Sequence, residues 1–424
     1  MAFEKLFEPI KIKDVEVKNR TVVAPMNMVY STQHGYATQQ DIANLARRAK
    51  GGFGLIVTGA VIATKLSAPH VWHRNLLLYD ESFIPGLSMV ALGCQALGAK
   101  VAIQLSIGFG RSGHALDGTQ PYAPSAIPNE TPLEMIPKGI VEFMAGAPGL
   151  IEQPMYAIPR EMTIQEILSE EKEFAEACRR AVIAGFDIIE IHAPHGYLEH
   201  EFLSARSNKR TDLYGGSLVN RMRFLREVTE SALEAVKDAI PVGIRMSAAD
   251  HMPEGFTLDE AKEAMKMCQD LGVAYLHLSD GSHEALKYFF PDSLEEVEQH
   301  LLQEAKSIKE VISIPVITPG LHDPAAAEKA IKDGATDMIS LGRQALADPD
   351  WPNKAKEGKA DKIKRCKRDC MCLITASAGL YARCTVNPEL GFEQYDPDLF
   401  PKRRPGAIIP AGVRKLPARG PARI

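Results

Sequence analysis

Residues 186–197 read FDIIEIHAPHGY, an apolar run that leads directly into polar side chains. The run at 186–191 is typical of a short buried strand. It is followed by His192, His195 and Tyr197, whose side chains can all donate hydrogen bonds to one oxygen atom. Proton-handling groups at the end of a buried strand favour a functional site over a core position.

Seven further apolar runs share this character and alternate with helical patterns. They lie at residues 21–26, 54–61, 101–106, 241–248, 274–280, 314–320 and 337–342. Alternating apolar strands and helices predict a parallel sheet covered by helices, and eight repeats favour a closed (β/α)8 TIM barrel. A doubly wound open sheet is the alternative.

The connecting segments fit this architecture. Residues 163–185 predict a helix that begins after a Thr163 cap and ends at Gly185. Residues 11–20 predict a hairpin that closes the bottom of the barrel. More than fifty residues separate the third strand from the helix at 163, and they include eight prolines between 121 and 159. Such an insertion is usually a lid or a binding loop, with a mobile surface excursion as the alternative.

Length and composition bound the possibilities further. The 424 residues, 45% of them hydrophobic, suffice for one barrel of about 250 residues with insertions. We expect residues 1–360 to form the barrel and 361–424 to form a cysteine-rich segment with a basic tail. A net charge of −5 argues against nucleic acid and anionic membranes, which leaves a small-molecule partner. The chain lacks a long apolar run and a signal-peptide core, so we expect a cytoplasmic protein, as a homo-oligomer.

The stretch 191–221, IHAPHGYLEHEFLSARSNKRTDLYGGSLVNR, resembles the Old Yellow Enzyme family of FMN-dependent ene reductases. In that family a His-x-x-His or His-x-x-Asn pair and a tyrosine precede a loop similar to SNKRTDxYGGSLxNR. The resemblance extends from residue 1 to about 395. It implies a TIM barrel that binds FMN at the C-terminal ends of its strands.

The resemblance implies a set of flavin contacts. Residues 24–27 end the first strand and would lie along the ring. Residues 339–351, ISLGRQALADPDW, are similar to the family's phosphate-binding segment. The expected FMN-binding residues are Ala24, Pro25, Met26, Asn27, Gly59, Ala60, Gln104, Arg245, Gly320, Gly342 and Arg343.

The residue types suit these roles. Gly59 and Ala60 would let the backbone approach a flat ring, and the Gln104 amide could face the pyrimidine edge. Arg245 stands in an apolar strand, where it would be costly without an anionic or electron-rich partner. The resemblance places it beside flavin N1 and O2. Structural alternatives are packing glycines, a satisfied buried amide, and a salt bridge from Arg245 to Asp187 or Glu190.

The catalytic residues that the resemblance implies are His192, His195, Tyr197 and His283. The histidine pair would bind a carbonyl oxygen, and Tyr197 would protonate the α-carbon after hydride from flavin N5 reaches the β-carbon. A zinc site at the pair lacks a third ligand. His283 stands in GSHEA, which resembles the 2,4-dienoyl-CoA reductase branch, although a solvated loop histidine is the alternative. The chain departs from the family's QLxHxGR pattern at Ile107.

Seven cysteines fall into two groups. Cys94, Cys178 and Cys268 occur singly and are expected to be buried free thiols. The other four lie within nineteen residues: Cys366, Cys370, Cys372 and Cys384. A reducing compartment disfavours disulfides, so a [4Fe-4S] cluster, tetrahedral zinc or a vestigial site remain open.

The family's cluster-bearing members carry Cys-x2-Cys-x3-Cys, then eleven or twelve residues, a fourth cysteine and Thr-Val-Asn-Pro. Here the last gap and the TVNP at 385–388 match, but the first three cysteines read Cys-x3-Cys-x-Cys. The resemblance therefore favours a cluster despite the altered spacing.

The substrate expected from these features is an enoyl-CoA or cyclic dienoyl-CoA thioester. Ketosteroid-like or other cyclic enones are the second substrate class, and an electron-transfer flavoprotein subunit is the rival from another class. Cluster-bearing relatives continue into a second flavin and nicotinamide-binding domain. We expect that domain to be missing here, since a tail rich in Pro, Arg and Lys follows at 401–424. We therefore expect electrons from NAD(P)H over the FMN ring or from a partner protein through the cluster.

Overall fold

Eight parallel strands close into a barrel in the computed structural model, which describes residues 3–71, 74–114, 118–145, 156–293, 295–296 and 300–400. The eight strands are β3 (Thr21–Val23), β4 (Leu55–Val57), β6 (Lys100–Ser106), β9 (Ile188–Ala193), β10 (Val242–Ser247), β11 (Leu276–Ser279), β12 (Val316–Pro319) and β13 (Met338–Leu341). They pair around the ring in chain order, and the pairing of β13 with β3 closes it. The TIM barrel predicted from the eight apolar runs is confirmed, with most strands shorter than the runs, although β6 begins one residue earlier than its run.

The remaining strands are short accessories. The hairpin strands β1 (Ile10–Ile12) and β2 (Val15–Val17) pair antiparallel. Ile12 and Val17 of the hairpin are fully buried in one cluster with Leu55 and Ile188, the first residues of β4 and β9. The predicted hairpin therefore closes the bottom of the barrel. Strand β5 (Val61–Ile62) extends the pairing of β6, and β7 (Tyr122–Ala123) pairs with β8 (Arg160–Glu161) inside the insertion.

Helices surround the barrel between the strands. The helix predicted at 163 is confirmed, since it runs over Ile164–Ile183 with a capping box between Thr163 and Glu166 and a positive φ at Gly185. No helix in the described ranges is both long and apolar enough to cross a membrane. The helices are α1 (Gln39–Lys50), α2 (Ile84–Gln95), α3 (Lys138–Ala145), α4 (Ile164–Ile183), α5 (Leu198–Leu203), α6 (Leu218–Arg221), α7 (Arg223–Val236), α8 (Leu258–Leu271), α9 (Leu286–Phe289), α10 (Leu301–Lys309), α11 (Pro324–Lys332), α12 (Arg343–Ala347), α13 (Trp351–Lys356) and α14 (Met371–Ser377).

The insertion after β6 reaches across the C-terminal face of the barrel in its described parts. Arg111 pairs with Glu284 beyond β11, with 3.1 Å between Nη2 and Oε1. The backbone amide of Lys138 donates to the carboxylate of Asp292. The insertion therefore contacts loops at the strand ends, where a barrel of this type holds its active site.

The segment after residue 360 packs against the barrel. Glu393 is buried, and its carboxylate accepts hydrogen bonds from Gln40 and Asn44 on α1. It also forms an ion pair with Arg48 of the same helix. The Asn387 amide donates to the carbonyl of Leu346. Because the Arg48 side chain is fully buried in its ion pair with Glu393, this contact fixes the position of the segment. The predicted basic tail at 401–424 lies outside the described residues.

Candidate active site

The four predicted catalytic side chains converge at the ends of β9 and β11. His192 is the second-last residue of β9, and His195 and Tyr197 follow the strand before α5 begins. The His192 ring centroid lies 5.4 Å from that of His195 and 5.2 Å from that of Tyr197. The Tyr197 hydroxyl lies 2.7 Å from Nε2 of His283, in the loop after β11.

Backbone contacts hold the two loops together. The His283 amide donates to the carbonyl of His195 at 2.8 Å, and the His195 amide donates to the Ser247 hydroxyl at 3.0 Å. His195 has a left-handed backbone, with φ of 69°. A side chain larger than hydrogen rarely adopts this conformation, so the turn stores strain at the site.

The histidine pair is neutral in this environment. Burial, followed by the nearby positive charge of Arg245, lowers the pKa of both His192 and His195 well below the usual range. Among the described residues, neither ring nitrogen of His192 has a hydrogen-bond partner, and Nδ1 of His195 also lacks one. Buried polar atoms without partners are rare in proteins, so these nitrogens are available to a ligand.

Arg245 lies beside the pair, at the centre of the barrel's upper end. Its Nη2 donates to the Ser279 hydroxyl at 3.1 Å, while its buried Nε has no partner in the described ranges. Burial lowers the pKa of Arg245 to about 10, with Glu190 acting in the opposite direction. Among the described residues Arg245 makes no ion pair within 4 Å, so the sequence alternative of a salt bridge to Asp187 or Glu190 is not formed.

Gln104 points into a buried network one layer below. Its amide nitrogen donates to Glu190 at 2.7 Å, and Glu190 also accepts from Tyr275 and His277. Burial opposes ionisation of Glu190, but His277 and Arg245 outweigh it and hold its pKa below the ordinary value. One N–H of the Gln104 amide is thus used by Glu190, and an amide has a second N–H and a carbonyl oxygen for further hydrogen bonds.

The flavin segments come together at the ends of β3, β4 and β13. A Cβ on Gly59 would lie 2.5 Å from the carbonyl oxygen of Met26, and one on Gly342 would lie 3.5 Å from the Met26 sulphur. Gly320 has φ of 93° at the end of β12, and Gly342 is the N-cap of α12. Ala24, Pro25, Asn27 and Ala60 lie in the same loops.

The strand ends therefore fit a flat anionic cofactor. Small residues bring backbone segments close together, and buried nitrogens of Arg245 and His192 have no acceptor in the part of the protein that the structure describes. Arg343 begins α12, where it donates to the Pro291 carbonyl at 2.9 Å and to the Cys370 sulphur at 3.5 Å. Among the residues predicted to bind FMN, Ala24, Met26, Gly59 and Gly342 are thus adjacent in space.

The four clustered cysteines lie around the N-terminal end of α14, where Cys370 is the N-cap. Cys370 is buried and the other three are half-buried. Burial raises the pKa of Cys372 to about 12, with opposing influence from Arg343 and further contributions from Cys366, Cys370 and Cys384. All four thiols thus lie within electrostatic reach of one another, beside a guanidinium. Cys94, Cys178 and Cys268 are buried free thiols, as predicted.

Sulphur spacing bears on the kind of metal. Within the described ranges, no three of these thiols have their sulphurs all within 4.8 Å of one another. Tetrahedral zinc with bonds of about 2.3 Å would hold its sulphurs about 3.8 Å apart. In the described part of the chain, these thiols are therefore not gathered closely enough for a single zinc ion.

Another group of ligating side chains stands near the site. His251 Nε2 lies 2.6 Å from Asp280 and 3.7 Å from Glu304, and its ring stacks on Tyr288 at 3.8 Å. The imidazole already bonds the Asp280 carboxylate, which accounts for the geometry without a metal ion.

Several residues at the site had no signal in the sequence. The Tyr156 hydroxyl lies 2.8 Å from Nδ1 of His283, although 127 positions separate them. The Phe289 ring stacks on His195 with 3.6 Å between centroids. Ser279 bonds both His195 and Arg245. Tyr156 lies in a proline-rich loop without hydrophobic periodicity. The sequence therefore gives no signal that this residue reaches the site.

Comparisons with known proteins agree with this geometry. Residues 5–362 match the model of the NADH:flavin oxidoreductase / NADH oxidase family. The chain is 36% identical over 399 residues to an NADH oxidase of Thermoanaerobacter brockii, covering 92% of this chain and 57% of the relative. It is 33% identical over 417 residues to a cinnamate reductase of Clostridium sporogenes, covering 92% and 59%. The chain thus spans less than three-fifths of these relatives.

Solved structures show the same fold. A 2-naphthoyl-CoA reductase in complex with 2-naphthoyl-CoA superposes with a TM-score of 0.83 at 30% identity, over 93% of this chain and 58% of that one. An Old Yellow Enzyme homologue from Zymomonas mobilis gives 0.67 at 25% identity, over 83% and 92%. This chain therefore belongs to the NADH:flavin oxidoreductase / NADH oxidase family of flavin-dependent oxidoreductases, within the wider group of Old Yellow Enzyme-like barrels.

Proposed function

We propose that this protein is an FMN-dependent ene reductase that reduces the C=C bond of an α,β-unsaturated carbonyl compound. The observation that carries the proposal is the convergence of neutral His192 and His195 with the Tyr197–His283 pair at the strand ends. A pure electron carrier needs no proton donor beside a carbonyl site, which argues against the electron-transfer subunit.

FMN would lie on the segments around Ala24, Pro25, Met26 and Asn27, with its phosphate near Gly342 and Arg343. Bound FMN supplies the hydride for the β-carbon of the alkene. Backbone amides at the start of α12 and the Arg343 guanidinium suit a phosphate, because both present positive charge to an anion. Arg245 supplies a fixed positive charge where a reduced, anionic ring needs it.

The histidine pair would bind the substrate carbonyl. A neutral imidazole has one N–H to donate, and His192 has no competing protein partner. The carbonyl oxygen gains negative charge as the β-carbon is attacked, so donors already held in place stabilise the transition state more than the substrate. The strained turn at His195 fixes one donor before the substrate arrives.

Tyr197 would protonate the α-carbon. Burial raises the pKa of its phenol above the ordinary value, so the group keeps its proton at neutral pH. Its ring packs 4.6 Å from that of Phe109, which limits rotation and directs the hydroxyl. A positioned general acid of this kind contributes on the order of 10²–10⁴-fold to rate.

We place the substrate in the class of enoyl-CoA or cyclic dienoyl-CoA thioesters. Support comes from the likeness to the 2-naphthoyl-CoA reductase structure and from His283 beside Tyr197. Cinnamate reductase, a further relative, is named for an alkene conjugated to a carboxylate. Cyclic enones are the competing substrate class.

Cys366, Cys370, Cys372 and Cys384 would hold a [4Fe-4S] cluster. Support comes from their mutual electrostatic reach and from the gap between Cys372 and Cys384, which is followed by Thr-Val-Asn-Pro at 385–388. Such a cluster supplies single electrons. The electron donor would be NAD(P)H at the flavin or a partner protein at the cysteine segment.

The proposed function is tested by following flavin absorbance without oxygen. Protein loaded with FMN is reduced by NADH or NADPH and then mixed with enoyl-CoA thioesters, cyclic enones or cinnamate. We expect rapid reoxidation by at least one thioester, with saturated product formed in equal amount. Reoxidation by cyclic enones alone would reassign the substrate class, and a protein that binds no flavin or that no alkene reoxidises would overturn the proposal.

A further inference from the structure

His283 lies between two tyrosine hydroxyls. Its Nε2 is 2.7 Å from the hydroxyl of Tyr197 and its Nδ1 is 2.8 Å from the hydroxyl of Tyr156. Tyr156 is buried, and it comes from the insertion rather than from the barrel strands. The His283 backbone is fixed as well, because its amide bonds to His195 and its carbonyl accepts from Thr131.

A histidine so placed has a choice of two arrangements. Burial, then the nearby His114, lowers the pKa of His283 to about 3, so the ring is neutral and carries one proton. If Nδ1 carries it, Nε2 accepts the Tyr197 proton and withholds it from a substrate. If Nε2 carries it, Tyr156 donates to Nδ1, and Nε2–H donates to the Tyr197 oxygen, leaving the Tyr197 proton free.

We propose that Tyr156 is a positioning residue that holds His283 in the Nε2–H form and so aims the proton of Tyr197 at the substrate. This inference rests on the proposed function. The Tyr197 O–H bond breaks, the proton forms the new C–H bond at the α-carbon, and the electron pair stays on the phenol oxygen. The Nε2–H donor already points at that oxygen, so the phenolate is stabilised as it forms.

The surroundings keep the Tyr156 hydroxyl able to donate to His283. Burial first, then Tyr197 and the Glu284 carboxylate, raise the pKa of Tyr156 well above the ordinary value, which keeps its hydroxyl protonated. Glu284 is itself fixed by Arg111 and Arg206. The insertion thereby contributes a group that acts on the reaction only through His283.

Tyr156→Phe removes one hydroxyl and retains the ring. We expect flavin content and the rate of flavin reduction by NAD(P)H to stay unchanged, while reoxidation by the alkene slows by about tenfold. KM should change little, because the hydroxyl does not touch the substrate. The matched control is Tyr122→Phe, another buried insertion tyrosine, whose hydroxyl bonds to Ser67 away from the site.

A spectroscopic measurement reports the tautomer without relying on turnover. In oxidised, FMN-loaded protein with ¹⁵N-labelled histidine, Nδ1 of His283 should be unprotonated and Nε2 protonated, with His283→Asn used to assign the signal. Tyr156→Phe should shift the two nitrogens toward a mixture, and Tyr122→Phe should not. A protonated Nδ1 in the unmodified protein would refute the inference even if no alkene substrate is found.

Failure of the two proposals can be told apart. An enzyme with no alkene substrate but with Nε2–H on His283 would contradict the ene reductase assignment alone. An active enzyme whose Tyr156→Phe variant reoxidises as fast as the unmodified protein would contradict the positioning role alone.

Discussion

At the scale of single residues, the site combines neutral hydrogen-bond donors with one fixed charge. His192 and His195 lose their charge because they are buried beside Arg245. Arg245 keeps its own charge because burial lowers its pKa only to about 10, while the Glu190 carboxylate opposes that shift. The donors can therefore bind a neutral carbonyl without attracting anions to the same position.

Tyr197→Phe tests the acid directly. The variant should bind flavin and accept electrons from NAD(P)H normally, because the ring and its contact with Phe109 remain. Reoxidation by the alkene should fall by about 10²-fold or more, since the α-carbon loses its proton donor. Stopped-flow absorbance of each half-reaction separates the two effects. Equal reoxidation rates would assign the acid to His283 or to water.

Arg245→Met tests the charge beside the flavin. Removing a buried positive charge disfavours the reduced, anionic ring, so the flavin midpoint potential should become more negative by about 30–60 mV. Arg245→Lys, which keeps the charge, should move it less. Arg20→Met, at the opposite end of the barrel, serves as the control in the anaerobic redox titration, and a potential unchanged in Arg245→Met would remove the charge argument.

At the scale of elements, the strands and the α4 helix could be predicted because their apolar pattern and capping are local properties of the chain. The site was predictable where it follows those strands, as with His192 and Arg245. Gln104 faces Glu190 rather than open space, since the neighbouring strand places a carboxylate at the same register. Tyr156 and Phe289 were missed because long-range packing of loops, and no periodicity, brings them to the site.

Helix α4 also carries a buried carboxyl that makes stability depend on pH. Glu170 is fully buried, and burial raises its pKa to about 8 from 4.5. Between these values the folded protein keeps a proton that the unfolded chain releases. The stabilisation is therefore complete below pH 4.5 and is lost as the pH rises through about 8.

Glu170→Gln should remove that dependence. At pH 8 the variant should be more stable than the unmodified protein by about 2–4 kcal/mol, and at pH 5 the two should differ little. Glu176→Gln, half-exposed on the same helix, should change the free energy of unfolding by less than about 0.5 kcal/mol at either pH. Denaturant unfolding at both pH values is the measurement, and a Glu170→Gln protein less stable at pH 8 would contradict the assignment.

At the scale of the whole molecule, Arg343 joins the barrel to the cysteine segment. It begins the helix after the last barrel strand and donates to Cys370. Glu393 anchors the same segment to α1 on the barrel's outside. Because the segment is fixed at both places, a cofactor on the barrel face and a metal group on the cysteines would stand side by side.

Arg343→Glu should disturb both groups. A negative charge at the predicted phosphate position should raise the dissociation constant for FMN by at least about tenfold. The same charge beside Cys370 disfavours thiolates, so bound iron should fall as well. Arg343→Lys should retain flavin, and Arg179→Glu on α4 should alter neither. Flavin and iron are measured on the same anaerobic samples, and full flavin content in Arg343→Glu would contradict the phosphate assignment.

The proposed route of electrons to the flavin depends on what the cysteine segment binds. Four half-buried or buried thiols within nineteen residues, among Lys364, Arg365, Lys367 and Arg368, are hard to explain as core. Protein purified without oxygen should therefore be brown, with about four iron and four sulphide per chain. The Cys384→Ser variant should lose the brown colour, whereas Cys268→Ser, which changes a buried thiol elsewhere, should keep it. Zinc in place of iron, or neither metal, would refute the cluster and make direct NAD(P)H binding at the flavin the route for electrons.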